Sequence, residues 1–185
     1  MRTMIRLSVI AMMITLFTAT FFSQPAMAGD TSKLDRAVDN ALKKLCAKSY
    51  AARELSKVAK GVLVFPSVAK AGFLVGGQYG EGALLKDGKT VGYYNTVAAS
   101  YGLQAGAQKF GYVMFFMDTD SLAYLNKSEG WEIGVGPSIV VVDEGMAKTM
   151  TTSTVQEGIY AFIFSQKGLM AGLGLQGSKI SRINP

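Results

Sequence analysis

None of the 185 residues is a histidine, so the sequence lacks the commonest general base near neutral pH and the commonest metal ligand. Cys46 is the only cysteine, which excludes an internal disulfide and a thiolate zinc cage. Its apolar neighbours at helical spacing mark it as a buried structural thiol rather than a reactive one. A Ser-His-Asp triad is impossible, and no G-x-S-x-G elbow is present. The carboxylate neighbours Asp118 with Asp120 and Asp143 with Glu144 are candidates for acid–base chemistry, but helix capping explains the first pair and a solvated turn the second. Gly172-Leu-Gly174-Leu-Gln-Gly177 matches the dinucleotide fingerprint G-x-G-x-x-G. The residues after it, Ser178 to Pro185, are too few for the helix whose N-terminus would meet a pyrophosphate. No EF-hand-like spacing supports a carboxylate-held cation. The chain is therefore expected to be no enzyme and to need no cofactor or metal.

Charge placement points to a different chemistry. Residues 33–60 hold eight basic side chains (Lys33, Arg36, Lys43, Lys44, Lys48, Arg53, Lys57, Lys60) against three acids, Asp35, Asp39 and Glu54. Beyond these and the first 28 residues, nine basic side chains face ten acidic ones, so the positive excess sits in one segment. A basic amphipathic segment suits an anionic membrane surface, where each Lys or Arg contributes roughly 1 kcal/mol. The same pattern also arises when an ordinary helix packs its apolar stripe on a sheet and leaves its charged face in water. No recognition motif for nucleic acid is visible, and none is expected as a partner.

These side chains need elements to carry them. Residues 1–28 read as a secretory signal peptide: Arg2 and Arg6, an uncharged run from Leu7 to Phe22, then Ala26-Met27-Ala28 before Gly29. The run of about 16 residues is shorter than the ~20 a spanning helix needs. The expected product is one domain, residues 29–185, periplasmic or secreted and peripheral to the membrane. From Ser32, a plausible N-cap, to Lys60 the spacing predicts helix in one piece or two, with a break near Ser49 and a stop at Gly61. Leu34, Val38, Ala41, Leu45, Ala52 and Leu55 form its apolar stripe, while Arg36, Lys43, Tyr50 and Lys57 fall seven apart on another face.

Past Gly61 the chain reads as strand. Gly61 to Phe65 is a short strand closed by Pro66. Gly72 to Leu85 and Thr90 to Val97 flank the hairpin turn Lys86-Asp87-Gly88-Lys89. Tyr101 to Met117 continues the pattern, and Asp118 and Asp120 mark the cap of a short helix reaching Leu125. Trp131 to Val142 returns to strand, and Ile159 to Phe164 with Leu169 to Ile180 reads as a last hairpin. Residues 145–157 fit helix or loop. Gly72, Gly76, Gly77, Gly80 and Gly82 crowd one strand, which signals sharp bending or a ligand lying on backbone. The expected fold is α+β: N-terminal amphipathic helices packed on a mainly antiparallel, Gly-rich, strongly bent sheet, sandwich or barrel-like.

Two stretches carry a resemblance to a known family. Ala59-Lys-Gly-Val-Leu-Val-Phe-Pro66, continued by Lys70-Ala-Gly-Phe-Leu-Val-Gly-Gly-Gln-Tyr-Gly-Glu-Gly82, resembles the opening signature of the SYLF family. Ile159-Tyr-Ala-Phe-Ile-Phe-Ser165, with Lys167-Gly-Leu-Met-Ala-Gly172 and Gln176-Gly-Ser178, resembles its closing signature. The likeness runs from about residue 33 to Ile180 and implies lipid binding. Eukaryotic members of that family, joined to SH3 or FYVE domains, bind phosphoinositides, and yeast members also bundle actin; bacterial members are mostly exported single domains. Membrane contact in the family lies partly in an N-terminal amphipathic helical segment, which corresponds here to residues 33–60. Export would separate this chain from cytosolic actin, so actin is not expected as a partner.

The reading is thus a non-catalytic protein of the cell envelope that binds anionic phospholipid. Lys43, Lys44, Lys48, Lys57 and Lys60 would attract headgroups, with Tyr50 at the interface. Lys70 and Lys167, each read as preceding a Gly-rich strand, would hold a phosphate over backbone amides or be ordinary turn lysines. The alternative is a structural or protein-interaction module of the periplasm, with another envelope protein as partner and no lipid binding.

Overall fold

Ser49 divides the basic segment into two helices, α1 (Thr31–Lys48) and α2 (Tyr50–Val58). It adopts an extended backbone, and its hydroxyl accepts from the Ala52 N–H at 3.2 Å, supplying one of the orphan donors of the second helix. The break expected at this residue is therefore a capped one. Ser32 lies inside α1 rather than at its cap. Gly61 is already strand: α2 closes with the Ala59 N–H on the Leu55 carbonyl, and the Lys60 N–H then reaches the Phe116 carbonyl at 2.7 Å. The computed structural model describes residues 31–126, 130–142, 158–168, 175 and 177–184. The expected signal peptide, the 145–157 linker and most of the Gly172–Gly177 fingerprint lie outside the described residues.

Two long strands, β1 (Gly61–Lys86) and β2 (Lys89–Phe116), form one antiparallel hairpin. Its turn is the expected Asp87-Gly88, with φ of 49° and 73°. Positive φ at both central residues is what a two-residue turn needs to match the strand twist. Pro66 does not end the strand as expected. It falls where the register slips between Phe65 and Val68, and a bulge tolerates a residue without an N–H. Further slips follow at Gly72/Leu74 and Leu84/Leu85.

Among the described residues the sheet has six strands and is antiparallel apart from one pair. Strand β2 is paired along both edges. β1 takes one edge throughout, while β5 (Ile159–Gly168) and β6 (Lys179–Ile183) occupy opposite ends of the other, at residues 108–116 and 93–97. β5 and β6 both pair with β2; most of Leu169 to Ile180, the second strand of the expected last hairpin, lies outside the described residues. Trp131 to Val142 is two short strands, β3 (Trp131–Glu132) on β6 and β4 (Ile139–Val141) parallel to β5. The short helix α3 (Thr119–Ala123) has Asp118 as its N-cap, as expected, and runs into a 3-10 turn at Tyr124–Asn126.

Alternation along the strands sorts the core into two clusters. Phe65, Phe110, Tyr112, Met114, Phe116, Trp131 and Ile180 fill the concave side of the curled hairpin. Val62, Val64, Val113, Phe115 and Phe162 face the other way, onto Val38, Leu45, Ala52 and Leu55 of the helices. Gly82 makes the curl possible. A Cβ there would press on the Val64 carbonyl oxygen and lie 2.7 Å from the Phe65 ring, so the strand approaches its own earlier half across bare backbone. Of the two readings of the glycine crowd, bending with close approach of backbone on backbone describes this position.

Two measurements test this account. Gly82→Ala forces side-chain volume into a filled contact and should lower stability by about 1–3 kcal/mol or more in denaturant titration. Asp118 accepts from the Ser121 N–H and hydroxyl (2.6 and 2.8 Å) and from the Gly158 N–H (2.7 Å). Burial pushes its carboxyl up, but these hydrogen bonds together hold it below the ordinary carboxylate value. Its stabilisation is therefore present above the unfolded pKa and is lost as pH falls through the folded one. Asp118→Ala should cost about 1 kcal/mol near pH 7, and the difference from wild type should vanish in acid.

Candidate functional site

The basic arm is held so that one face is fixed and the other is free. In α1, Val38, Ala41 and Leu45 are buried against the sheet, with Leu34 and Leu42 beside them. At 100° per residue, Arg36 and Lys43 then fall on the opposite side, with Lys44 on the flank and Lys48 nearer the stripe, and all four are exposed. Asp35, one of the few acids of the segment, points the other way. Its carboxylate accepts from the Thr90 hydroxyl at 2.9 Å and the Tyr93 hydroxyl at 3.1 Å, tying the start of α1 to β2. Burial first, then the Asp35 hydrogen bond and charge, raise the Tyr93 phenol above its ordinary value.

In α2 the outward residues are Tyr50, Arg53 and Lys57, at i, i+3 and i+7. Tyr50 is 57% exposed, and the Arg53 guanidinium lies over its ring, 5.3 Å from the centroid. Glu54 binds Lys57 at 2.7 Å and approaches Arg53 at 4.0 Å. Lys57 is thus compensated within its own helix. Arg36, Lys43, Lys44, Lys48 and Lys60 form no ion pair among the described residues. Cys46 is half-buried behind this surface. Burial raises its thiol, with Ser56 and Arg53 offsetting part of the shift, so it carries little thiolate at neutral pH.

The structure brings Lys43, Lys44 and Lys48 together on one helix and Tyr50 and Lys57 on the next, with Lys60 in the exposed connection to β1. Lys70 and Lys167 stand apart from them and within strands, not before them. Lys70 pairs with Gln108, and Lys167 pairs with Lys109, one position along β2. Neighbouring register positions face opposite ways, so Lys70 shares the face of Gln108 while Lys167 and Lys109 share the other. The two lysines do not form one phosphate-binding pair. Lys109 went unread because no spacing rule joins residues 109 and 167. Arg53 was within reach of sequence reasoning, since it lies three residues after Tyr50 on a helix.

No helix among the described residues is long and apolar enough to cross a membrane. No group of three or more Cys, Asp or Glu residues among them is placed to hold a metal ion.

Residues 97–184 match the family model described as Ysc84, Las17-binding protein actin regulator. That match supports the resemblance to the SYLF family. The match covers β2 from Val97 onward and every later strand, including the closing signature at Ile159 to Ser178. None of the curated proteins compared matches the chain. The opening signature and the helical arm precede the matched residues and continue into them through the hairpin, whose two strands are paired along their length.

Asp35→Ala removes two hydrogen bonds to a partly buried carboxylate and should destabilise the protein by about 1–2 kcal/mol. Hydrogen exchange should quicken first in Thr31–Lys48, leaving β2 and β5 protected.

Proposed function

We propose that the chain is a non-catalytic lipid-binding protein of the cell envelope, periplasmic or secreted, that docks on anionic phospholipid through the outward face of α1 and α2. The observation that carries this reading is the sorting of charge on the arm. Its apolar stripe is used up on the sheet and Asp35 is turned toward β2, which leaves Lys43, Lys44 and Lys48 exposed without ion pairs among the described residues. Cations held this way attract anionic headgroups at little desolvation cost. Tyr50, half in water and stacked with Arg53, suits the interfacial layer, where an amphipathic ring can sit at headgroup level. Lys57 contributes less, because Glu54 already neutralises it. The family supports a binding role, and the residues read above as an export signal support the location.

A second reading is favoured by the family description itself, which names a protein ligand and actin regulation. In the envelope this would make the domain a protein-interaction module with another envelope protein as partner. Ionic strength separates the two, since headgroup attraction by exposed lysines is screened by salt and apolar protein contact is not.

Co-sedimentation with phosphatidylcholine vesicles and with vesicles rich in phosphatidylglycerol tests the proposal. Wild type should pellet with the anionic vesicles and be released by salt. Lys43→Glu/Lys44→Glu/Lys48→Glu should lose about a hundredfold or more in partitioning, at roughly 1 kcal/mol for each lysine removed. Equal pelleting of both proteins on both vesicle types overturns it.

A further inference from the structure

On the face of the sheet that carries the helices, Val113 lies opposite Phe162, Gly111 opposite Phe164, and Lys109 opposite Lys167. The last step is irregular. Continued from Gly111 and Phe164 without a slip, the register would set Gln166 opposite Lys109. One extra residue on β5 brings Lys167 there instead, and Ser165, within this bulge, takes a φ of 55°. A residue other than glycine in the left-handed region is uncommon, and its cost must be offset by the structure around it. Asp87, which shares this conformation, has its reason in the two-residue turn.

The bulge therefore sets two cations side by side. Both lysines are exposed, and neither makes an ion pair among the described residues. Directly opposed residues stand about 5 Å apart at Cβ, close enough for like charges to repel. On that face Ala69 lies beside Lys109, with Ala71 and Ala107 two residues further along. On the helix side the half-buried Phe164 ring covers Gly111. None of these neighbours carries a carboxylate. Lys86 and Lys89 also oppose each other, but at the ends of a turn that holds Asp87 between them. At Lys109 and Lys167 a strained backbone maintains a repulsion, and an anion seated between the two charges would relieve it.

We infer that Lys109 and Lys167 form a binding site for a dianionic phosphate group, carried by a soluble phosphate monoester or by a lipid headgroup. Such a group holds close to two negative charges near neutral pH and three strong acceptor oxygens. Two ammonium groups reaching from neighbouring strands match that charge, and each can donate to a separate oxygen. A single carboxylate would leave one of them uncompensated. The small side chains of Ala69, Ala71 and Ala107 leave room beside Lys109 for the group to approach. Lys70 takes no part, because it lies on the other face of β1. The site uses no residue of the helical arm and stands whether or not that arm meets a membrane.

The test is an NMR titration of the full chain with inorganic phosphate, with glycerol phosphate and with phosphatidylcholine vesicles containing phosphatidic acid, following the side chains of Lys109 and Lys167. At least one of the three should give saturable shifts at both lysines. Response to the soluble compounds alone assigns the site to a free phosphate monoester, and response to the vesicles alone assigns it to a headgroup. Lys109→Gln should weaken binding about fivefold, and Lys109→Gln/Lys167→Gln about thirtyfold. Neither change should lower the melting temperature of the ligand-free protein, because each removes a repulsion. Lys43→Glu/Lys44→Glu/Lys48→Glu should keep the response at Lys109 and Lys167 to the soluble compounds, so its loss of vesicle pelleting bears on the arm alone. Absence of saturable shifts with all three probes, shifts of equal size at Lys86 and Lys89, or unchanged affinity in the double variant overturns the inference.

Discussion

Where Gly82 passes Val64 and Phe65, β1 comes back against its own earlier half with nothing but backbone on one side of the contact. That approach decides the rest. A hairpin of this length laid flat would expose two faces and need separate partners for each. Folded on itself, it makes both walls of a core that Leu122, Leu125, Trp131, Ile159, Ala161 and Ile180 help to fill. A dozen bulky side chains can then be fully buried in a chain with one cysteine and no crosslink.

The same fold-back fixes the disposition of the helices. The convex side of the 61–65 and 113–116 segments remains apolar, and α1 and α2 cover it with alanines and leucines small enough to sit close. The arm is therefore bound by one stripe only. Its outer residues face water, and Asp35 is drawn out of that surface by Thr90 and Tyr93. A hydrogen-bonding need on the sheet thus alters the charge that the helix presents outward.

Much of this was legible beforehand because it is local. The break at Ser49, the turn at Asp87-Gly88 and the cap at Asp118 each rest on one residue's preference for a backbone conformation or a nearby donor. The bend was legible as a crowd of glycines without showing which of them touches what. The pairings of β5 and β6 were not legible. Nothing local announces the second edge of β2, formed far upstream, which takes up both strands. The face of Lys70 was hidden for a related reason: each register slip resets which residues point inward, and bulges leave a faint mark in sequence. On the arm, helical period alone separated exposed lysines from buried leucines, but the pairing of Lys57 with Glu54 needed the side chains themselves.

Using both edges of β2 has a consequence for the order of assembly. The β1–β2 hairpin closes from a two-residue turn and can zip progressively, each step joining residues only slightly further apart. Tyr93 with Ile183 and Trp131 with Ile180 join residues separated by tens of positions, and their loop-closure entropy must be met before the contacts form. Until β6 arrives, one edge of the longest strand has unpaired amides beside exposed valines and tyrosines. Folding should then be slow and dominated by late long-range docking, with a nascent chain open to chaperone capture or to edge-to-edge association until its last strand is in place.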